Sequence, residues 1–182
     1  YTDHATIPRV MKFDALTVEC TVDAQPPGVV AVPRISATMK VCRSKDGTEV
    51  RLMVLEPIEF DGNPPDSPRP TVLYGYGGFG VSMAPSYSPS ILAWVEAGGV
   101  YTIACLRGGN EEGEWWHRDG MLGKKQNVFD DFIACAQWLL DNQWTTPEQL
   151  VISGGSNGGL LVGAVMTQRP ELFAGVHCSA PL

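Results

Sequence analysis

One serine stands among four glycines in the run Gly154-Gly-Ser-Asn-Gly-Gly159, between two apolar segments. The run contains the pattern G-x-S-x-G, which places a serine on a tight turn between a strand and a helix. The hydrogen side chains of Gly154 and Gly158 would let the two backbones pass closely. The turn would also direct the backbone N–H of Asn157 to the place where a tetrahedral oxyanion forms. The pattern therefore predicts Ser156 as a nucleophile; the alternative is a glycine-rich helix start that only packs tightly.

A second glycine cluster, Gly75-Tyr-Gly-Gly-Phe-Gly80, matches the dinucleotide-binding pattern G-x-G-x-x-G. A dinucleotide site requires a helix directly after the glycines and an acidic residue about 20 residues later, at the end of a second strand. A proline-containing segment, 81–89, follows instead, and no acidic residue stands at the required place. We therefore predict no nucleotide cofactor here. The glycines favour a loop that bends across the serine and offers Tyr76 to it.

A serine nucleophile needs a base to accept its proton and a carboxylate to orient that base. In folds with this turn, the carboxylate and the histidine follow the serine in the chain. After Ser156 the sequence has one acidic residue, Glu171, and one histidine, His177. Neither is predicted to lie on a loop at the top of the sheet. His177 is predicted to be a packed strand residue. His4 and His117 precede the serine, and structural or peptide-contact roles are expected for them.

The elements that must position these residues follow a strand-then-helix order from residue 70 onward. This order is typical of a parallel sheet with crossover helices, and it predicts an α/β fold. An antiparallel hairpin precedes it, because alternating segments flank Lys45-Asp46-Gly47. Six strands are expected in this sheet: the two of the hairpin, 70–76, 100–106, 149–153 and 174–180. Two short strands are predicted earlier, at 9–16 and 20–24, and the proline-rich segment 59–69 is predicted to be a loop.

The helices are predicted from their start and stop residues. Ser88 should cap a helix that has Pro89 at its first position and ends before Gly98. Apolar spacing predicts a second helix in 126–142, with Asn127 as its cap. Asp130 and Asp131 are expected to face the positive end of the helix dipole. The third predicted helix follows the serine turn and ends at Arg169-Pro170.

Composition limits the classes of function. The chain has 182 residues, 44% of them hydrophobic, and a formal net charge of −7 without a basic patch, so nucleic acid is not expected as a partner. No segment is apolar for long enough to predict a membrane span. Five cysteines without a paired spacing predict reduced core thiols, with no metal and no other cofactor. With no signal peptide visible, a cytoplasmic location is expected.

Four runs resemble the prolyl oligopeptidase family of serine peptidases, in the same order and at similar spacing. They are Leu73-Tyr-Gly-Tyr-Gly-Gly-Phe79, Arg107-Gly-Gly-Asn-Glu-Glu-Gly-Glu-Trp-Trp-His117, Lys125-Gln-Asn-Val-Phe-Asp-Asp-Phe132 and Gly154-Gly-Ser-Asn-Gly-Gly-Leu-Leu161. The resemblance implies an α/β-hydrolase domain joined to a β-propeller, and cleavage of short peptides after proline. It implies that residues 1–35 end the last propeller blade and that 36–182 form part of the catalytic domain, truncated at its carboxyl end.

The resemblance also implies roles for single residues. Ser156 matches the nucleophile, Asn157 the backbone N–H donor of the oxyanion hole, and Tyr76 the hydroxyl donor. Phe79 matches an aromatic residue that lines the pocket for the proline ring. Asn110 and Glu112 depart from the family, which usually has a glycine and an aromatic residue there.

The sequence therefore predicts a serine endopeptidase whose substrates are short proline-containing peptides. The chain itself is expected to lack the acid and base of the triad and to be inactive alone. The alternatives are another α/β-hydrolase, such as an acylaminoacyl peptidase or an esterase, and a noncatalytic peptide-binding module. No oligomeric state is predicted.

Overall fold

The computed structural model describes residues 1–28 and 31–182. These residues form two sheets. A two-stranded sheet pairs β1 with β2, and a six-stranded sheet has the order β3-β4-β6-β5-β7-β8. The strands are β1 (Val10–Asp14), β2 (Glu19–Ala24), β3 (Ile35–Arg43), β4 (Glu49–Pro57), β5 (Thr71–Tyr74), β6 (Val100–Cys105), β7 (Leu150–Gly155) and β8 (Gly175–Ser179).

Helices connect the later strands. They are α1 (Pro89–Glu96), α2 (Glu114–Arg118), α3 (Gln126–Asp141) and α4 (Asn157–Gln168), with single 3-10 turns at Ile58–Phe60, Leu122–Lys124 and Pro170–Leu172. The first 3-10 turn overlaps the start of the predicted loop 59–69. The loop prediction was therefore wrong at its first two residues, which precede the prolines that exclude regular structure.

The six-stranded sheet is antiparallel at one side and parallel at the other. Strands β3 and β4 form the predicted hairpin, and β4 pairs antiparallel with β6. Strand β5 pairs in parallel with both β6 and β7, and β7 pairs in parallel with β8. The prediction of a mostly parallel sheet with crossover helices is confirmed, and its carboxyl ends bring the segments after β5, β6 and β7 to one edge.

The core lies between the sheet and the helices that pack on it. Val50, Leu52 and Val54 alternate along β4 and are fully buried, as expected for one face of a strand. Helix α3 contributes Phe132, and helix α4 contributes Leu161, to the same apolar cluster. These two helices pack against each other as well as against the sheet, so the beginning of α4 is held by burial on two sides.

Two helix starts differ from their predictions. Ser88 precedes α1 as expected, but its hydroxyl contacts the hydroxyl of Ser90 at 3.0 Å, and its side chain caps no backbone N–H. Helix α3 begins at Gln126, before the predicted cap, and the Asn127 amide donates to the carbonyl of Asp119 at 2.9 Å. A tertiary acceptor is therefore preferred over the local cap.

The β1–β2 sheet consists of the two short strands predicted from the first residues of the chain. The strands pair antiparallel from Val10↔Ala24 to Asp14↔Glu19, and all their residues are exposed. No helix within residues 1–28 and 31–182 is long and apolar enough to cross a membrane.

All five cysteines are free thiols. Cys42, Cys105 and Cys135 are buried, as predicted for core thiols, and the other two are exposed. Burial raises the pKa of the Cys105 thiol to about 12, so this thiol stays protonated at neutral pH.

Candidate active site

Ser156 lies on a sharp turn between β7 and α4, at the carboxyl end of the sheet. Its backbone has φ +55° and ψ −118°, in the region that residues with a side chain rarely adopt. The serine is exposed, and its N–H donates to the carbonyl of Ser179 at the end of β8, at 2.9 Å. The turn therefore presents the hydroxyl to solvent and is anchored by the neighbouring strand.

Two glycines allow this turn. A β-carbon at Gly154 would collide with the carbonyl of Gly158, in the first turn of α4. A β-carbon at Gly158 would lie 2.5 Å from the carbonyl oxygen of Gly75, which follows β5. The close passage of strand and helix expected from the motif is present, and the loop after β5 passes the helix equally closely.

Asn157 is the first residue of α4, so its backbone N–H has no acceptor within the helix. Its side chain is buried and holds the loop after β5. The Asn157 Nδ2 donates to the carbonyl of Tyr76 at 2.5 Å, and its Oδ1 accepts from the Lys125 ammonium at 3.2 Å. Both polar atoms of the side chain are thus held by hydrogen bonds, and Asn157 is fixed beside Ser156.

Tyr76 is half-buried on the loop that crosses the start of α4. The loop continues β5, because the N–H of Gly75 donates to the carbonyl of Ser153 at 3.2 Å. Gly77 and Gly80 have φ of +60° and +65°, which explains why glycines are needed there. The structure therefore brings Tyr76 and Asn157 together, joined through the Tyr76 carbonyl.

Phe79 is 70% exposed and lies on the same loop. It lines a cavity of about 460 Å³ together with Met121, Leu122, Asn157 and Leu160. His117 and Lys125 also line the cavity, but most of its wall is apolar, which suits a small apolar ring. Phe79 and Asn157 are therefore brought together at one cavity.

His117, His177 and the late glutamate contact groups other than the serine hydroxyl. His117 Nδ1 donates to the carbonyl of Gly108 at 2.9 Å, and His177 Nδ1 lies 3.0 Å from Ser153 Oγ. Glu171 pairs with Arg169, which lowers the pKa of this carboxyl. Among the described residues, none of these groups forms a hydrogen bond with Ser156. The prediction that His177 is packed was wrong: it is exposed, because β8 is the edge strand of the sheet.

A buried ion pair after β6 was not predicted. Arg107 follows β6 and is 2% exposed; its Nε donates to Asp131 Oδ2 at 2.9 Å and its Nη1 to Asp46 Oδ2 at 2.6 Å. Burial lowers the pKa of Arg107, but these two carboxylates outweigh it and raise that pKa above its ordinary value. The same contact with Arg107 lowers the pKa of Asp46. Asp131 therefore serves this pair. Because α3 begins at Gln126 and has no acidic residue in its first turn, the prediction that Asp130 and Asp131 face the positive end of the helix dipole was wrong.

The Arg107 pair supports the Tyr76 loop through the backbone. The N–H of Gly80 donates to the carbonyl of Gly108 at 2.9 Å, and a β-carbon at Gly108 would lie 2.6 Å from the carbonyl oxygen of Gly77. The sequence signal for this pair was an arginine directly after a buried strand. Its partners lie on α3 and in the β3–β4 turn, so far away in the chain that no local pattern indicates them.

Residues 85–182, just over half of the chain, match the family model described as the prolyl oligopeptidase family. The chain belongs to the prolyl oligopeptidase family. It is 40% identical over 173 residues to a prolyl endopeptidase of Elizabethkingia meningoseptica, an alignment that covers 94% of this chain and 24% of the relative. The chain thus spans about a quarter of the length of this curated relative.

Solved structures agree with this membership. One structure from an analysis of two prolyl endopeptidases matches with a TM-score of 0.90 and 46% identity, over 100% of this chain and 26% of that one. Oligopeptidase B from Leishmania major matches with a TM-score of 0.87 and 32% identity, over 97% of this chain and 24% of that one. The α/β-hydrolase fold implied by the motifs is confirmed.

Proposed function

We propose that the protein carrying this chain is a serine endopeptidase that cleaves short peptides on the carboxyl side of proline. The observation that supports this most directly is the turn at Ser156, where a strained backbone holds an exposed serine directly before the first N–H groups of a helix. Residues in such strained conformations cluster at active sites. A helix start that only packs would not require it.

The proposed reaction proceeds through an acyl-enzyme. Ser156 Oγ attacks the carbonyl carbon of the substrate, a base takes the hydroxyl proton, and the same base returns it to the leaving amine. Water then hydrolyses the ester on Ser156. We propose that an aspartate and a histidine from the longer protein, following Ser156 in that order, supply the carboxylate and the base.

Two donors would stabilise the oxyanion. The backbone N–H of Asn157 would donate from the start of α4, where the helix dipole also favours negative charge. The hydroxyl of Tyr76 would be the second donor. The close contact between the Tyr76 carbonyl and the Asn157 amide supports this pairing, since it holds the two residues at one place.

Phe79 would contact the proline ring at the apolar cavity described above. Its exposed ring is available to a substrate, and an apolar face suits a pyrrolidine ring. The similarity to prolyl endopeptidases, at 46% identity for a solved structure and 40% for a curated relative, supports proline as the residue before the scissile bond. We also propose that residues 1–35 belong to a β-propeller blade and 36–182 to the catalytic domain.

The proposal is tested with the full-length protein and three substrates of matched length: a peptide with proline before the scissile bond, the same peptide with arginine, and a simple ester. We expect kcat/KM to be highest for the proline peptide and Ser156→Ala to abolish turnover. Preference for the ester would indicate an esterase. Peptide binding without any turnover by the parent would indicate a binding module.

A further inference from the structure

We infer that Lys125 is a positioning residue for the oxyanion hole, an inference that rests on the proposed function. Lys125 lies directly before α3 and is half-buried. Its ammonium group donates to the carbonyl of Gly77 at 2.8 Å and to Asn157 Oδ1 at 3.2 Å. It therefore joins the loop that carries Tyr76 to the residue that carries the other proposed donor.

These contacts form a closed set. Lys125 binds Gly77 and Asn157, and Asn157 in turn donates to the carbonyl of Tyr76. The Tyr76 loop and the start of α4 each take part in two of these hydrogen bonds. Neither segment can shift along the other without breaking one of them. A donor that is fixed before the reaction costs no reorganisation when charge develops on the oxyanion.

The space around the loop strengthens this arrangement. A β-carbon at Gly77 would collide with Val128, in the first turn of α3. A β-carbon at Gly78 would collide with the side chain of Asn157. The loop is therefore clamped between the starts of α3 and α4, and Lys125 is the cation that bridges the two.

The partners of Lys125 are neutral. Among residues 1–28 and 31–182 it forms no salt bridge with a carboxylate, whereas the neighbouring Lys124 pairs with Asp119 at 2.5 Å. Burial lowers the pKa of Lys125. The Lys125 ammonium therefore acts through directed hydrogen bonds to two amide oxygens and not through an ion pair. Directed hydrogen bonds of this kind can hold the Tyr76 loop in position.

The test compares Lys125→Met with Lys124→Met in the full-length protein. Methionine keeps the length of the side chain and removes the donors. We expect Lys125→Met to lower kcat roughly tenfold with KM almost unchanged, because a small displacement of a donor lowers the rate without weakening ground-state binding. Lys124→Met should leave both constants unchanged. An unchanged kcat in Lys125→Met would overturn the inference.

Hydrogen exchange separates this inference from the proposed function. If the parent protein cleaves no peptide, the proposed function fails, and the amide of Gly80, which donates to Gly108, still reports on the loop. In Lys125→Met this amide should exchange roughly tenfold faster, as expected for a locally opened loop, while the amide of Ile152 in the core stays unchanged. Unchanged exchange at Gly80 would overturn the inference without any measurement of activity.

Discussion

At Ser156 the chemistry depends on an unfavourable backbone conformation. A residue with a side chain at positive φ costs about 1–3 kcal/mol, and it persists only where the surroundings enforce it. Here the enforcement comes from the carbonyl of Ser179, which accepts the Ser156 N–H, and from the close passage of Gly154 and Gly158. The exposed position of the hydroxyl is therefore a consequence of contacts made by its neighbours.

Substitution of Gly158 tests this dependence. Gly158→Ala should lower the free energy of unfolding by about 1–3 kcal/mol, because its β-carbon would meet the backbone carbonyl of Gly75, which cannot rotate away. Urea denaturation measures the change. Gly163→Ala in the same helix is the control: apart from the neighbouring backbone of α4, no atom of residues 1–28 and 31–182 lies within 4 Å of its β-carbon, so it should stabilise the helix by about 0.5–1 kcal/mol. Equal effects at the two positions would contradict the account of the turn.

Tyr76→Phe tests the proposed hydroxyl donor in the full-length protein. A bond that strengthens as the oxyanion forms contributes to kcat and not to KM, so we expect kcat to fall roughly 10²-fold with KM nearly unchanged. Tyr74→Phe, on β5 two residues earlier, is the matched control and should leave both constants unchanged. A kcat for Tyr76→Phe within about threefold of the parent would remove Tyr76 from the mechanism.

At the scale of elements, the Arg107 pair ties three of them together. Arg107 follows β6, Asp131 lies on α3, and Asp46 lies in the turn between β3 and β4. The Asp131 carboxylate also accepts the backbone N–H of Arg107 at 3.1 Å. Because the next residue, Gly108, packs on the Tyr76 loop, this network also holds that loop in place.

Removing one charge of the buried pair should be costly. Asp131→Asn leaves the Arg107 guanidinium buried without its full counter-charge, and we expect a loss of about 3 kcal/mol in the free energy of unfolding. Asp130→Asn is the control, because Asp130 accepts from Gln126 on the surface of the same helix and should cost less than about 0.5 kcal/mol. Thermal or urea unfolding of both variants gives the comparison. Similar losses in Asp131→Asn and Asp130→Asn would show that the buried pair stabilises the fold no more than a surface carboxylate does.

Local patterns predicted the elements well and tertiary partners poorly. Alternation and turn residues indicated all six strands of the main sheet, and the G-x-S-x-G pattern indicated the turn at Ser156, because each signal lies within a few adjacent residues. The caps were less accurate: Asn127 binds the distant carbonyl of Asp119 in place of its own helix. The contacts of Lys125 and Arg107 join segments 24 to 61 residues apart, so no local pattern contains them.

At the scale of the whole molecule, two antiparallel hairpins, one with strands of 5 and 6 residues and one with strands of 9 residues each, have different environments. The β3–β4 hairpin joins β6 and packs against α3, and several of its side chains are fully buried. Within the described residues, the β1–β2 hairpin pairs with no other strand, and it exposes apolar side chains, among them Phe13, Leu16 and Val18, with Leu16 at 95%. Strand pairing alone leaves a two-stranded hairpin marginally stable in water.

Hydrogen exchange on this 182-residue chain should therefore separate the two hairpins. Amides in 10–24 should exchange at rates near those of an unfolded peptide, because opening this hairpin uncovers no buried apolar surface. Amides of β4 paired with β6 should exchange only through global unfolding, since opening them exposes the side chains of Leu52 and Val54. The β3–β4 hairpin is thus the internal control for the β1–β2 hairpin. Equal protection of the two would mean that residues 10–24 gain stability from contacts other than strand pairing.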